Sequence, residues 1–497
     1  MNDMDIIELQ DEMSTGEKSS RAIIESYLDR IRRYDEQGPK INSIIELNPE
    51  AITAADSLDK ERKEKGPRGP FHGIPILIKA NIDTADKMAT TAGSLALKGS
   101  IASQDAFLVK RLREAGAIIL GKTNLSEWAN MRSNRSTSGW SSRGGLTRNP
   151  YVLDRNPSGS SSGSAAAVAA NFCAAAIGTE TDGSIVSPAS ANSVVGLKPS
   201  LGLISRSGII PIAHSQDTAG PLTRTVEDAA IMLSVLTGPD PRDPITQEGS
   251  VKGRTDYSEF LDKNGLEGAR IGVARNFFGS HRMVDQIVES AIKRIKQLGA
   301  ALIDPANVIT RGQFRDSEFE VLLYEFKHDL NEYLAALGPE AKAHSLKEVI
   351  EFNEQNKETV MPYFGQEAML LAEAKGPLTD SVYLEALEKN RILSRDEGID
   401  ATLKEHNLDA IIAPTAGLPC LTDLVNGDSH RGGCSSPAAV AGYPHITVPA
   451  GYAYGLPVGL SFFGGALQEP ALLKFAYAFE QSEKIRRPPE FKSTADI

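Results

Sequence analysis

Short unbroken apolar runs recur along the chain, separated by stretches in which apolar residues return every three or four positions. The runs Ile74-Pro75-Ile76-Leu77-Ile78, Ala117-Ile118-Ile119-Leu120, Ala269 to Val273, Ala410 to Ala413, Ile446 to Val448 and Val458 to Phe463 read as strands. Ile23, Ile24, Tyr27, Leu28 and Ile31 fall at helical spacing, and Ser14-Thr15-Gly16-Glu17 and Ser19-Ser20 offer caps, so residues 5 to about 65 are predicted helical. Amphipathic helices are expected over 105–115 and over Val284 to Leu298. Strands alternating with helices predict a layered α/β fold with a mostly parallel or mixed sheet. Residues 310–395 differ: they are charged, helix-rich and without a clear strand, which suits a helical insertion able to shape a cleft.

Composition narrows the function classes. The 497 residues are 41% hydrophobic, enough for a sizeable core, and carry a formal net charge of −12. An acidic chain is poorly suited to gripping phosphate backbones, so direct nucleic-acid binding is not expected. Cys173, Cys420 and Cys434 are odd in number and lack CxxC spacing, which argues against a disulfide framework or a zinc site. Cys173 reads as a small buried apolar residue. The N-terminal residues carry no basic segment followed by an apolar one, and nowhere do 18 apolar residues run together. A cytoplasmic, membrane-free protein is expected.

Two loops carry the candidate chemistry: Asn156-Pro157-Ser158-Gly159-Ser160-Ser161-Ser162-Gly163-Ser164 and Thr179-Glu180-Thr181-Asp182-Gly183-Ser184. Loops of this kind aim hydroxyls and backbone N–H groups at one point, as acyl transfer or anion binding requires. Gly159 to Gly163 alone fits the G-x-S-x-G nucleophile elbow, with Ser161 as nucleophile and His430 or His445 as base, but no HGGG-type segment precedes it. A phosphate cradle at the start of an Ala-rich helix, similar to the loop of galactokinase-related kinases, lacks a matching metal-ligating acid motif and leaves the second loop unexplained. A Gly/Ser turn capping a buried helix explains the first loop but not the pair.

Further residues decide among these readings. Ser158 to Ser164, Thr181-Asp182-Gly183-Ser184-Ile185 and Val195-Gly196-Leu197-Lys198-Pro199 together resemble the signature of the amidase signature family. Gly73 to Lys79, Gly121-Lys122-Thr123-Asn124, Asp217-Thr218-Ala219-Gly220-Pro221 and Gly455 to Gly459 are similar to the family too, so the likeness spans essentially the whole chain. Ser158 and Ser162 replace glycines of the first loop, Asp182 replaces one in the second, and Val186-Ser187 stands where many members have an arginine. With Asn124 to Asn130 and Ser435 to His445, these departures resemble the bacterial peptide amidase branch. The resemblance implies a single large α/β/α layered domain over 1–497 with a central mixed twisted β-sheet. Its parts would be N-terminal helices (1–65), the catalytic core (66–240), the helical insertion (about 310–395) and the rest of the core (400–497).

By motif the family's triad falls on Lys79, Ser160 and Ser184, with Ser184 the nucleophile, Ser160 a relay and Lys79 the base, and with a cis bond before Ser160. Backbone N–H groups of Thr181, Asp182, Gly183 and Ser184 would form the oxyanion hole. Ser161 would support its loop by hydrogen bonding. Asp182 would cap the turn or tune the pocket, Trp128 and Tyr363 are candidates to line the cleft, and His430 and His445 are expected to be structural. A lysine serves as base only when neutral, and burial at the end of an apolar strand lowers its pKa. The implied reaction hydrolyses a carboxamide to acid and ammonia through an acyl-enzyme, without metal, cofactor or obligatory protein partner. The substrate would be a small-molecule or peptide amide, most similar to the C-terminal amides of peptides. The alternatives are a general aliphatic or aryl amidase, or the A subunit of a tRNA-dependent amidotransferase supplying ammonia from glutamine.

Overall fold

The computed structural model describes residues 3–249, 256–339 and 341–497. Its strands, in chain order, are β1 (Ile44–Leu47), β2 (Pro75–Lys79), β3 (Ile118–Thr123), β4 (Trp140–Ser141), β5 (Gly145–Leu146), β6 (Ala175–Glu180) and β7 (Val195–Lys198). They continue with β8 (Thr218–Thr223), β9 (Arg270–Val273), β10 (Ala301–Ile303), β11 (Ala410–Pro414), β12 (His445–Ala453) and β13 (Leu456–Phe463). Strands β4 and β5 form a small ribbon. The others make one eleven-stranded sheet in the order β1-β3-β2-β6-β8-β7-β12-β13-β11-β9-β10. Pairing is parallel at β3-β2-β6 and at β11-β9-β10 and antiparallel elsewhere. This is the expected α/β fold with a mixed central sheet flanked by helices.

The apolar runs form β2, β3, β9, β11, β12 and β13, on either side of the central strands β6, β8 and β7, which the sequence does not mark. The strands are apolar because both faces of the sheet are covered. Every residue of β2, β3 and β6 is buried, as strands packed under helices on both sides require. Helix Arg282–Gln297 buries Val284, Val288, Ala291, Ile292 and Ile295, the one-sided stripe its sequence predicts. Helix Ser162–Ala169 is different. It is buried all round, and its small residues let it sit against backbone: a Cβ on Gly163 would lie 2.3 Å from the Ser43 carbonyl oxygen.

The N-terminal prediction needs one correction. Helices Ile6–Thr15, Ser20–Ile31 and Ala51–Lys65 are present, with Ser19 capping the second, but Ile44–Leu47 is a strand. It pairs antiparallel with β3 at the sheet edge. All four of its residues are only partly covered, so no alternation marks it in sequence. Asp35 sets its entry by accepting from Ser43 N–H (2.7 Å), Ser43 Oγ (2.6 Å) and Ile44 N–H (3.1 Å).

Between 310 and 395 the described residues contain helices and no strand, the principal ones being Arg315–Ala335, Leu346–Gln355, Glu367–Glu373 and Ser381–Arg391. Leu323, Phe326, Leu330, Leu346 and Met369 of this segment pack with Ala92, Trp128, Ile210 and Ile212 of the core. The insertion therefore lies against the segments that flank the serine loops.

Candidate active site

Strand register places the lysine. Ile76, Leu77 and Ile78 of β2 pair with Ala175, Ala176 and Ile177 of β6, which brings Lys79 beside Thr179. Lys79 Nζ lies 2.8 Å from Ser160 Oγ, 2.8 Å from Thr179 Oγ1 and 3.2 Å from the Thr179 carbonyl oxygen. Asn81 Nδ2 also donates to Thr179 Oγ1 (3.0 Å), so the threonine hydroxyl is held from two sides. A neutral amine has two N–H bonds and one lone pair. Two donations to Thr179 leave the lone pair for the Ser160 hydroxyl. Burial lowers the Lys79 pKa, and the negative fields of Asp217 and Glu180 oppose this only in part, so it settles at about 7.

The first loop is fixed by its own polar groups. Asn156 Oδ1 accepts from Ser158 N–H (2.7 Å), Asn192 Nδ2 donates to the Pro157 carbonyl (2.8 Å) and Ser162 Oγ donates to the Ser158 carbonyl (2.6 Å). The Gly159–Ser160 bond is cis. A Cβ on Gly159 would lie 2.3 Å from Ser126 Oγ, so a side chain there would displace the Ser126 hydroxyl. Ser161 Oγ donates to the Thr179 carbonyl (3.1 Å) and accepts from Thr179 N–H (3.2 Å), which staples the loop to β6. Both sides of this hydroxyl are occupied, so it is not free to serve as the nucleophile of an elbow. His445 hydrogen-bonds Ser461 (2.6 Å), burial lowers its pKa to about 3, and it holds no serine of the loops.

The second loop is a turn between β6 and helix Val186–Ala191. Gly183 sits at φ 78°, where a side chain is strained. Glu180, unforeseen from sequence, clamps the turn: its Oε2 accepts from Ile185 N–H (2.7 Å) and Val186 N–H (3.0 Å). Asp217 holds the other side by accepting from Thr181 Oγ1 at 2.5 Å, and burial raises its pKa to about 6. Among the described residues, the backbone N–H groups of Thr181, Asp182, Gly183 and Ser184 donate to no acceptor. They are the free donors that an oxyanion requires.

The two loops meet through Ser161 N–H, which donates to the Ser184 carbonyl (3.2 Å). Ser184 is 7% exposed, and its hydroxyl has no hydrogen-bond partner among the described residues, so the expected contact between one hydroxyl of each loop is not made. Catalytic hydrogen bonds are often long until substrate binds. Asp182 accepts from Ser436 Oγ (2.6 Å) and faces the buried carboxyl of Glu318 on helix Arg315–Ala335. Gln216 Nε2 bridges Glu318 Oε1 (3.1 Å) and the Thr181 carbonyl (3.3 Å). Burial, and then the neighbouring Asp182, raise the Glu318 pKa well above the usual carboxyl range.

Cavities flank this turn. One of about 480 Å³ is lined by Asp182, Glu318, Phe319 and Leu322, and one of about 280 Å³ by Asp182, Phe277, Phe314 and Arg315. A third, of about 230 Å³, reaches Asn81, Thr179, Thr181 and Ala129. Neither aromatic cleft candidate lines these spaces. Trp128 is buried in the apolar cluster beneath the insertion, and Tyr363 is 45% exposed on the edge of Trp140. Glu318, Phe314 and Phe319 hold the wall instead; they cluster at the N-terminal end of helix Arg315–Ala335, whose fold position the sequence does not reveal.

A buried amine on a serine hydroxyl, beside a turn of free N–H donors, is an arrangement suited to acyl transfer by a serine, and the chain's relatives make it that of a serine-dependent hydrolase of amide C–N bonds. The chain belongs to the amidase family, whose model it matches over residues 22–473. It is 44% identical over 482 residues to a probable amidase of Arabidopsis thaliana, covering 95% of this chain and 88% of that one. The crystal structure of the native peptide amidase from Stenotrophomonas maltophilia superposes with a TM-score of 0.93 at 48% identity, covering 98% of each chain. The A subunit of the glutamyl-tRNA(Gln) amidotransferase of Halorhodospira halophila is 34% identical over 502 residues, covering 97% of each chain.

Proposed function

We propose that this enzyme is a peptide amidase, removing the C-terminal carboxamide of peptides with Ser184 as nucleophile, Ser160 as proton relay and Lys79 as base. The observation that carries the chemistry is the 2.8 Å contact between Ser160 Oγ and a Lys79 amine whose pKa lies at about 7. Ser184 Oγ attacks the amide carbon and passes its proton to Ser160 as Ser160 passes its own to Lys79. The N–H groups of residues 181–184 receive the oxyanion. Lys79 and Ser160 return the proton to the leaving nitrogen, ammonia departs, and water taken through the same relay releases the acid. No step needs a metal, a cofactor or a second protein.

The peptide preference is supported by the 48% identity to a peptide amidase over 98% of the chain and by the two cavities that meet at Asp182 beneath Phe314 and Phe319. The test is ammonia release by the purified chain alone from peptide amides, aliphatic amides, aromatic amides and glutamine. Peptide amides should exceed the others in kcat/KM by about tenfold or more. A preference for glutamine, or activity only with a partner, would favour the amidotransferase reading. Ser184→Ala should lower kcat by about a thousandfold or more on the preferred amide.

A further inference from the structure

Away from the serines, three side chains stand in an acid–imidazole–thiol line. Cys420 Sγ is 4.0 Å from His430 Nδ1, and His430 Nε2 is 3.1 Å from Asp428 Oδ2. The two ring nitrogens face different partners, so the imidazole joins the carboxylate to the sulfur. Each end is anchored. Asp428 accepts from Ser138 N–H (2.6 Å) and from Asn156 Nδ2 (2.9 Å), and Asn156 N–H donates to the Cys420 carbonyl (2.8 Å). Cys420 is half-buried at the wall of a cleft of about 910 Å³, whereas Cys173 and Cys434 are fully buried. The other charged or titratable side chains lining that cleft are Arg155, His281, Asp423, Arg431 and Tyr454.

We propose that Cys420, His430 and Asp428 form an activated-thiol site, separate from the amide-hydrolysing serines, that takes a disulfide or a similar soft electrophile entering the cleft. His430 stands as an imidazolium held by Asp428 through Nε2–H, and its Nδ1–H faces Cys420 Sγ and stabilises the thiolate. Although His430 keeps about half its side chain exposed (48%), the neighbouring protein partly desolvates it and acts to lower its pKa, and the hydrogen bonds to Asp428 and Cys420 outweigh this and raise it to about 10. The thiolate attacks one sulfur of the disulfide. A new bond forms between Cys420 Sγ and that sulfur, the original S–S bond breaks, and the departing thiolate takes the proton from His430. The incoming disulfide is the oxidant and is reduced to one free thiol.

The folded enzyme is titrated with dithiodipyridine across pH 5 to 9, following pyridinethione release and mapping the label by mass spectrometry. One label per chain is expected, on Cys420, and none in Cys420→Ser. At about pH 6 the wild type should react about tenfold faster than His430→Ala, with the gap closing towards about pH 9 as the unaided thiol ionises. His430 is exposed, so the alanine variant is expected to fold; labelling of all three cysteines in both proteins only after urea unfolding verifies this. Equal rates in wild type and His430→Ala across the range, or first labelling at Cys173 or Cys434, would overturn the proposal.

Discussion

At the scale of single residues, everything turns on the charge of Lys79. Its folded pKa of about 7 lies below the ordinary lysine value, so the neutral base is the minor form in acid and the major form in alkali. We therefore expect the acid limb of kcat/KM for the preferred amide to rise about tenfold per pH unit below about 7 and to flatten near neutrality. Lys79→Ala should lower kcat by about 100- to 10,000-fold and remove that acid limb. A near-normal rate in the variant, or an unchanged limb, would take the base role away from Lys79. The residue is legible in sequence as the single charge ending a fully apolar strand. Thr179 and Asn81, which hold its amine, are not, because the pairing of Ile78 with Ile177 decides that contact across about 100 positions of chain.

At the scale of elements, the turn over residues 181–184 is an assembly of pieces that the chain supplies far apart. Glu180 clamps it from β6, Asp217 from the segment entering β8, and Glu318 from helix Arg315–Ala335, with Gln216 joining Glu318 to the Thr181 carbonyl. Glu318 can face Asp182 only while it keeps its proton. As pH rises through its elevated pKa it ionises, and two carboxylates then oppose each other across the seam. The expected outcome is an alkaline decline in activity that Glu318→Gln abolishes, since a carboxamide stays neutral and keeps a donor. Glu318→Ala should lower kcat by about tenfold, having lost the bridge to Gln216. If the glutamine and wild-type pH–rate profiles coincide, the seam does not control the turn. The helical character of 310–395 is readable from charge and the lack of apolar runs. Its placement over Trp128 and Ile210 is not, because that packing joins stripes from separate segments, and β1 is hidden for the related reason that an edge strand needs no apolar run.

At the scale of the whole molecule, one sheet buries three lysines, Lys79 on β2, Lys122 on β3 and Lys198 on β7, and only the first has a place in the proposed reaction. Lys122 allows the cost of such burial to be measured apart from catalysis. Its amine donates to the Ile82 carbonyl and to Thr90 Oγ1 (3.1 Å). Burial lowers its pKa to about 8, against the opposing fields of Asp83, Asp86 and Glu46. In the unfolded chain the same lysine titrates near ~10.4. Between these values the unfolded state holds a proton that the folded state has shed, so this residue makes the fold more stable as pH rises. Lys122→Met lacks that contribution. The unfolding free energy of the wild type minus that of Lys122→Met should therefore increase from about pH 8 to about pH 10, by up to ~1.4 kcal/mol per unit. Urea unfolding of both proteins at several pH values across this window measures the slope, and their shared surface charges cancel in the difference. A flat difference would mean that Asp83, Asp86 and Glu46 keep Lys122 charged in the folded sheet, and that burial alone does not neutralise a lysine in this fold.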